Sequence, residues 1–66
     1  MDIKDKLIKL RKENNMTQKQ VATLLEMSTT GYASWEQGLA EPSLHAIKKL
    51  CEIYEESADY FIGLED

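Results

Sequence analysis

The sequence predicts an all-α fold of five short helices, with its second and third helices forming a close central pair. Three observations carry this. Apolar residues recur at helical spacing along the chain and nowhere alternate over a run, so there is no strand signal. Side chains suited to capping, Asp2, Thr17, Ser28, Ser43 and Ser57, each precede such a segment. The connections between segments are two to five residues, the spacing of a tightly connected helical domain.

The first helix is expected from Ile3 to Asn14, capped by Asp2, with Asp5 in the first turn where the dipole favours negative charge. Ile3, Leu7, Ile8 and Leu10 make its buried stripe and leave Lys4, Lys6, Lys9 and Lys12 on the wet side. Asn15 is the left-handed C-cap, the common substitute for glycine. Thr17 then caps the second helix, and Gln20 three residues on completes a T-x-x-Q capping box. Met16 and Val21 occupy staple positions; Val21, Leu24 and Leu25 share one stripe, and Ala22 is small enough for another helix to cross closely.

Ser28 starts the third helix, with Met27 and Tyr32 as its staple pair. Tyr32 and Trp35 face inward, and Gly38 supplies a left-handed stop. Two helices of about nine residues do not persist alone in water, so the rest of the chain is there to hold this pair. Pro42 ends the loop that follows. Ser43 caps a fourth helix from Leu44 to about Tyr54, with Leu44, Ile47, Leu50, Cys51 and Tyr54 at helical spacing. Ser57 caps a last helix, Ala58 to Ile62, stopped by Gly63. Residues 64–66 are expected to fray.

Sixty-six residues read as one domain, 1–66, which buries only about 60% of the surface its unfolded chain exposes. So small a core is marginal unless a partner subunit adds to it. One cysteine excludes an internal disulfide, and Cys51 with His45 is too little for zinc, so no metal or cofactor is expected. No apolar run approaches a membrane span and the N-terminus lacks a signal-peptide core, so a soluble, cytoplasmic chain is expected. No nucleophile–base set, paired carboxylates or phosphate loop supports an enzyme.

The formal net charge is −4, unusual for a chain that meets nucleic acid. It is unevenly spread. Residues 1–24 carry six basic side chains against three acidic; residues 25–66 carry two against nine. A basic half of this kind can still meet a polyanion, with weak non-specific affinity and little tolerance of salt.

Thr17 to Gly38 has the pattern of a helix-turn-helix, in which the second helix enters the major groove and the first crosses the backbone. On the side away from Tyr32 and Trp35 lie Thr29, Thr30, Gly31, Ala33 and Ser34. Hydroxyls there can donate or accept, and threonine methyls can pack on thymine. Gln18 stands at the first position of the second helix, where backbone N–H groups attract phosphate.

Leu10-Arg11, Thr17-Gln18, Val21-Ala22, Leu25, Met27-Ser28, Tyr32, Trp35-Glu36, Gly38, Pro42-Ser43 and the run Ser57 to Gly63 carry a resemblance. Over roughly residues 7 to 63 the chain resembles the Cro- and repressor-type (XRE-like) helix-turn-helix regulators of phages and bacteria. That resemblance implies a lambda-repressor-like five-helix domain that binds a double-stranded DNA operator. It implies base contacts from Thr29, Thr30 and Ser34, and backbone contacts from Gln18, Gln37 and the Gly38 amide, with Lys19 a candidate phosphate partner. It also implies an ion pair between Arg11 and Glu36 that aims the third helix.

The aromatic C-terminus, with Tyr60, Phe61, Ile62 and Leu64, is more than a five-residue helix buries in so small a domain. With the resemblance it implies a homodimer joined there, its recognition helices about 34 Å apart.

Three departures stand out. Glu26 replaces the usual turn glycine and puts negative charge near the expected phosphate; a left-handed non-glycine residue costs roughly 1–2 kcal/mol. Ala33 replaces a frequent serine, and Glu55-Glu56 replaces the usual turn residue and aliphatic. No Arg, Lys, Asn or Gln on the third helix makes the strong bidentate base contacts, so preference leans on apolar contact, water or DNA shape. The expected function is a sequence-specific transcriptional regulator, a dimeric repressor. The competing reading is a protein-docking module on the same fold, antitoxin-like or a co-regulator, with little DNA affinity.

Overall fold

Among residues 1–63, which the computed structural model describes, the chain forms five α-helices and no strand. They are α1 (Ile3–Glu13), α2 (Gln18–Leu24), α3 (Thr29–Glu36), α4 (Leu44–Tyr54) and α5 (Ala58–Ile62). The caps explain the boundaries. Thr17 and Gln20 form the complete reciprocal box, and the Ser28, Ser43 and Ser57 hydroxyls accept the N3 amides of Gly31, Ala46 and Tyr60. Asp2 flanks α1 in extended backbone without a side-chain cap bond. Left-handed residues close the other ends: Asn15 after α1, Gly38 after α3, Glu55 after α4 and Gly63 after α5.

Leu7 and Leu10 of α1, Val21, Ala22 and Leu25 of the α2 segment, and Tyr32 of α3 meet Ile47, Leu50 and Tyr54 of α4 and Phe61 of α5. α3 packs on α1 and α2, and α5 closes the underside against α1 and α4. Ile3, Met16, Met27, Trp35, Cys51, Ile53 and Tyr60 line the core edge, half-buried.

Five assignments differ from the sequence expectation. Lys6 is 1% exposed: its amine donates to the Tyr60 carbonyl and lies over the Tyr60 ring, 4.9 Å from its centroid. That ties α1 to α5, with the aliphatic stem in the core and the charge on a carbonyl and a π face. Ile3 and Ile8, expected in the buried stripe of α1, are only half-buried. Leu24 is 52% exposed because α2 ends there, after less than two full turns, and Leu25 takes the inward position. Leu44 is 70% exposed, since at the first position of α4 it lies beyond the rim of the core. No helix of the described residues is long and apolar enough to cross a membrane.

Candidate nucleic-acid interface

The candidate recognition edge follows from what α3 buries. Tyr32 is fully enclosed, and Trp35 packs edge-on to it, ring centroids 5.8 Å apart. With those rings inward, Thr29 and Thr30 are exposed in the first turn. Ser34 is half-buried, and its hydroxyl donates back to the Gly31 carbonyl at 2.6 Å, which leaves its lone pairs as acceptors. Thr30 and Ser34, one turn apart, share a face of α3, and of the donor or acceptor role expected of the Ser34 hydroxyl only the acceptor remains open.

The turn before α3 runs through Glu26 in left-handed backbone, φ 58°. Its carboxylate reaches Lys49 of α4 at 3.1 Å, so the negative charge at the turn is partly paired. The pair is exposed and therefore contributes little stability.

Behind the recognition edge sits Glu36, 8% exposed, at the last residue of α3. Arg11 Nε donates to its Oε2 at 2.7 Å and Arg11 Nη2 to its Oε1 at 3.1 Å, a bidentate pair. The Tyr32 hydroxyl donates to Oε2 at 2.5 Å, and Gln18 Nε2 donates to Oε1 at 3.0 Å. Arg11 Nη1 also donates to the Met16 carbonyl at 3.0 Å, just before α2 begins. One carboxylate thus joins α1, the entry to α2, and α3.

Burial alone would raise the Glu36 carboxyl, but hydrogen bonds from Arg11, Tyr32 and Gln18 outweigh it and hold the group below the ordinary range. The same contact pushes the Arg11 guanidinium up, against its own desolvation. Tyr32 is raised first by burial and then by its bond to Glu36. Tyr54 is raised by burial and the nearby Glu36 charge; its buried hydroxyl makes no hydrogen bond of ordinary geometry among the described residues.

Gln18, expected at phosphate, is half-buried and turned toward Glu36. Lys19 beside it is exposed, as is Gln37. The Gly38 amide is not an available phosphate donor: it closes α3 by donating to the Trp35 carbonyl at 3.2 Å. Glycine suits this position, since φ is 78° and a side chain there is strained; an added Cβ would also stand 3.1 Å from Cδ of Lys4.

At the far end, Phe61 does not face outward. It is buried in its own domain, where α5 seals the core beneath α1 and α4, and it lines the same groove as Ile62 from within. Tyr60 is half-buried, Ile62 is 56% exposed, and Leu64 lies outside the described residues. Ile62 shares an open groove with Met1, Leu39 and Pro42.

The family model described as "Helix-turn-helix" matches residues 7–61. The chain is 34% identical over 61 residues to the HTH-type transcriptional regulator AnsR of Bacillus subtilis, covering 92% of this chain and 53% of that protein. It is 30% identical to the HTH-type transcriptional activator BcrR of Enterococcus faecalis, over 100% of this chain and 32% of that one. It is 35% identical to the cryptic phage CTXphi transcriptional repressor RstR of Vibrio cholerae, over 96% and 56%. The chain thus spans between a third and a little over half the length of these relatives. No solved structure matches it. With caps, core and recognition edge arranged in this way, and the family model matching nearly its whole length, the chain belongs to the XRE-like helix-turn-helix family.

Proposed function

We propose that this chain is a sequence-specific DNA-binding domain of a transcriptional regulator, inserting α3 into the major groove of a double-stranded operator. The observation that carries the reading is the division of α3, with Tyr32 enclosed and Thr29 and Thr30 exposed at its N-terminal turn. In this geometry the first-turn side chains of the second helix reach base edges. The names of relatives include both an activator and a repressor. Repression by operator occupancy needs only DNA binding and is the mode we assign.

The homodimer belongs to the same proposal, supported by the apolar rim of Met1, Leu39 and Ile62 around the groove. Two copies joined there read two half-sites about one helical turn, roughly 34 Å, apart. The test is a mobility shift on genomic fragments at low salt with the unmodified protein, Gln18→Ala and Thr30→Ala. Retarded fragments whose affinity falls in both variants support the regulator. No shift at any salt, with a protein recovered by pull-down, supports the docking module instead.

A further inference from the structure

We propose that Glu36 is a positioning residue for DNA binding, acting through Gln18; this rests on the DNA-binding reading above. Gln18 has one side-chain nitrogen with two N–H groups. One of them is committed to Glu36 Oε1 at 3.0 Å. The carboxylate is itself immobile, held by both nitrogens of the Arg11 fork and by the Tyr32 hydroxyl.

A carboxylate only accepts, so it fixes which end of the Gln18 amide faces the protein. The second N–H of the same nitrogen is then the amide's remaining donor for a phosphate oxygen, and the amide carbonyl cannot rotate in to replace it. Without Glu36 the carboxamide turns freely and presents an acceptor as readily as a donor. The last residue of α3 thereby sets the polarity of a side chain at the first residue of α2, and the two helices grip the duplex as one body.

The test is a double-variant cycle read as affinity for a mixed-sequence duplex at low salt. Gln18→Ala loses a bond to a charged group and is expected to bind about tenfold more weakly. The anchor is removed by the triple change Arg11→Met, Tyr32→Phe and Glu36→Leu. It deletes one charge of each sign, keeps the net charge, and leaves no buried ion unpaired. The phosphate can still recruit the donor end of a freely turning amide, so its affinity should fall by a smaller factor than that of Gln18→Ala, and the combined variant should bind no more weakly than Gln18→Ala alone.

Additive losses would show that the network only holds the helices in place and would overturn the proposal. No binding by the unmodified protein would overturn this inference together with the DNA-binding reading. If the triple variant does not fold, side-chain amide NMR of the unmodified protein decides. One Gln18 proton protected from exchange while its partner shifts on adding duplex supports the assignment. Two equivalent, freely exchanging protons contradict it.

Discussion

Glu36 accepts four hydrogen bonds from three side chains in a site almost closed to water. Removing one partner of such a pair leaves an uncompensated buried charge, which costs about 3–5 kcal/mol. A chain of this length has a total stability of roughly 3–10 kcal/mol. Arg11→Ala should therefore unfold much of the protein at room temperature, visible as a collapse of the denaturation midpoint by circular dichroism.

The pH dependence has a definite sign. Because the native carboxyl lies below its ordinary value of 4.5, Glu36 contributes its full stability above that pH and loses it as pH falls through the lowered native value. Unfolding free energies measured across that range should decline toward acid in the unmodified protein and decline less in Glu36→Gln. Parallel curves would contradict the assignment. The contact of Tyr32 with Glu36 was open to reading, four residues apart on one helix, but that of Gln18 was not. Eighteen residues separate it from Glu36, and only the packing of α2 on α3 brings them together.

Elements are set by their ends. Thr17 satisfies the Gln20 amide and Gln20 returns the bond to the Thr17 amide, so Thr17→Ala should cost about 1 kcal/mol in chemical denaturation. Glu26 lies at φ 58° and its bond to Lys49 is exposed. Glu26→Gly should therefore stabilise by about 1 kcal/mol, the left-handed cost outweighing the surface pair. A destabilised glycine variant would mean that the Lys49 contact holds the turn.

Helix limits were legible because capping is local chemistry: α4 and α5 run over the residues the sequence predicts, and α1 ends one residue early. Burial at the ends was less so. Periodicity put Leu24 and Leu44 in the core, but each stands at a helix terminus where the stripe runs past its neighbours. Lys6 was misplaced for a related reason: a helical wheel treats lysine as charge alone, whereas its stem fills the seam between α1 and α5.

At the scale of the molecule, the acid majority is gathered in the second half of the sequence, and the α1–α2 half keeps a basic excess. Non-specific affinity should accordingly be low, and in the proposed reading specificity comes from contacts along α3. We place the proposed dimer at the open groove, where Ile62 is exposed and Phe61 is buried. Ile62→Glu should leave the helical spectrum intact and shift sedimentation from dimer to monomer; an unmodified protein that is monomeric at every concentration contradicts the dimer.

The most direct test of the recognition edge is selection from a pool of randomised duplexes at low salt, with the unmodified domain and with Thr30→Val, which keeps a methyl and removes the hydroxyl. The account predicts an enriched site for the first and an altered preference confined to one or two base pairs for the second. Binding with no enriched sequence, or an identical site for both proteins, would contradict it.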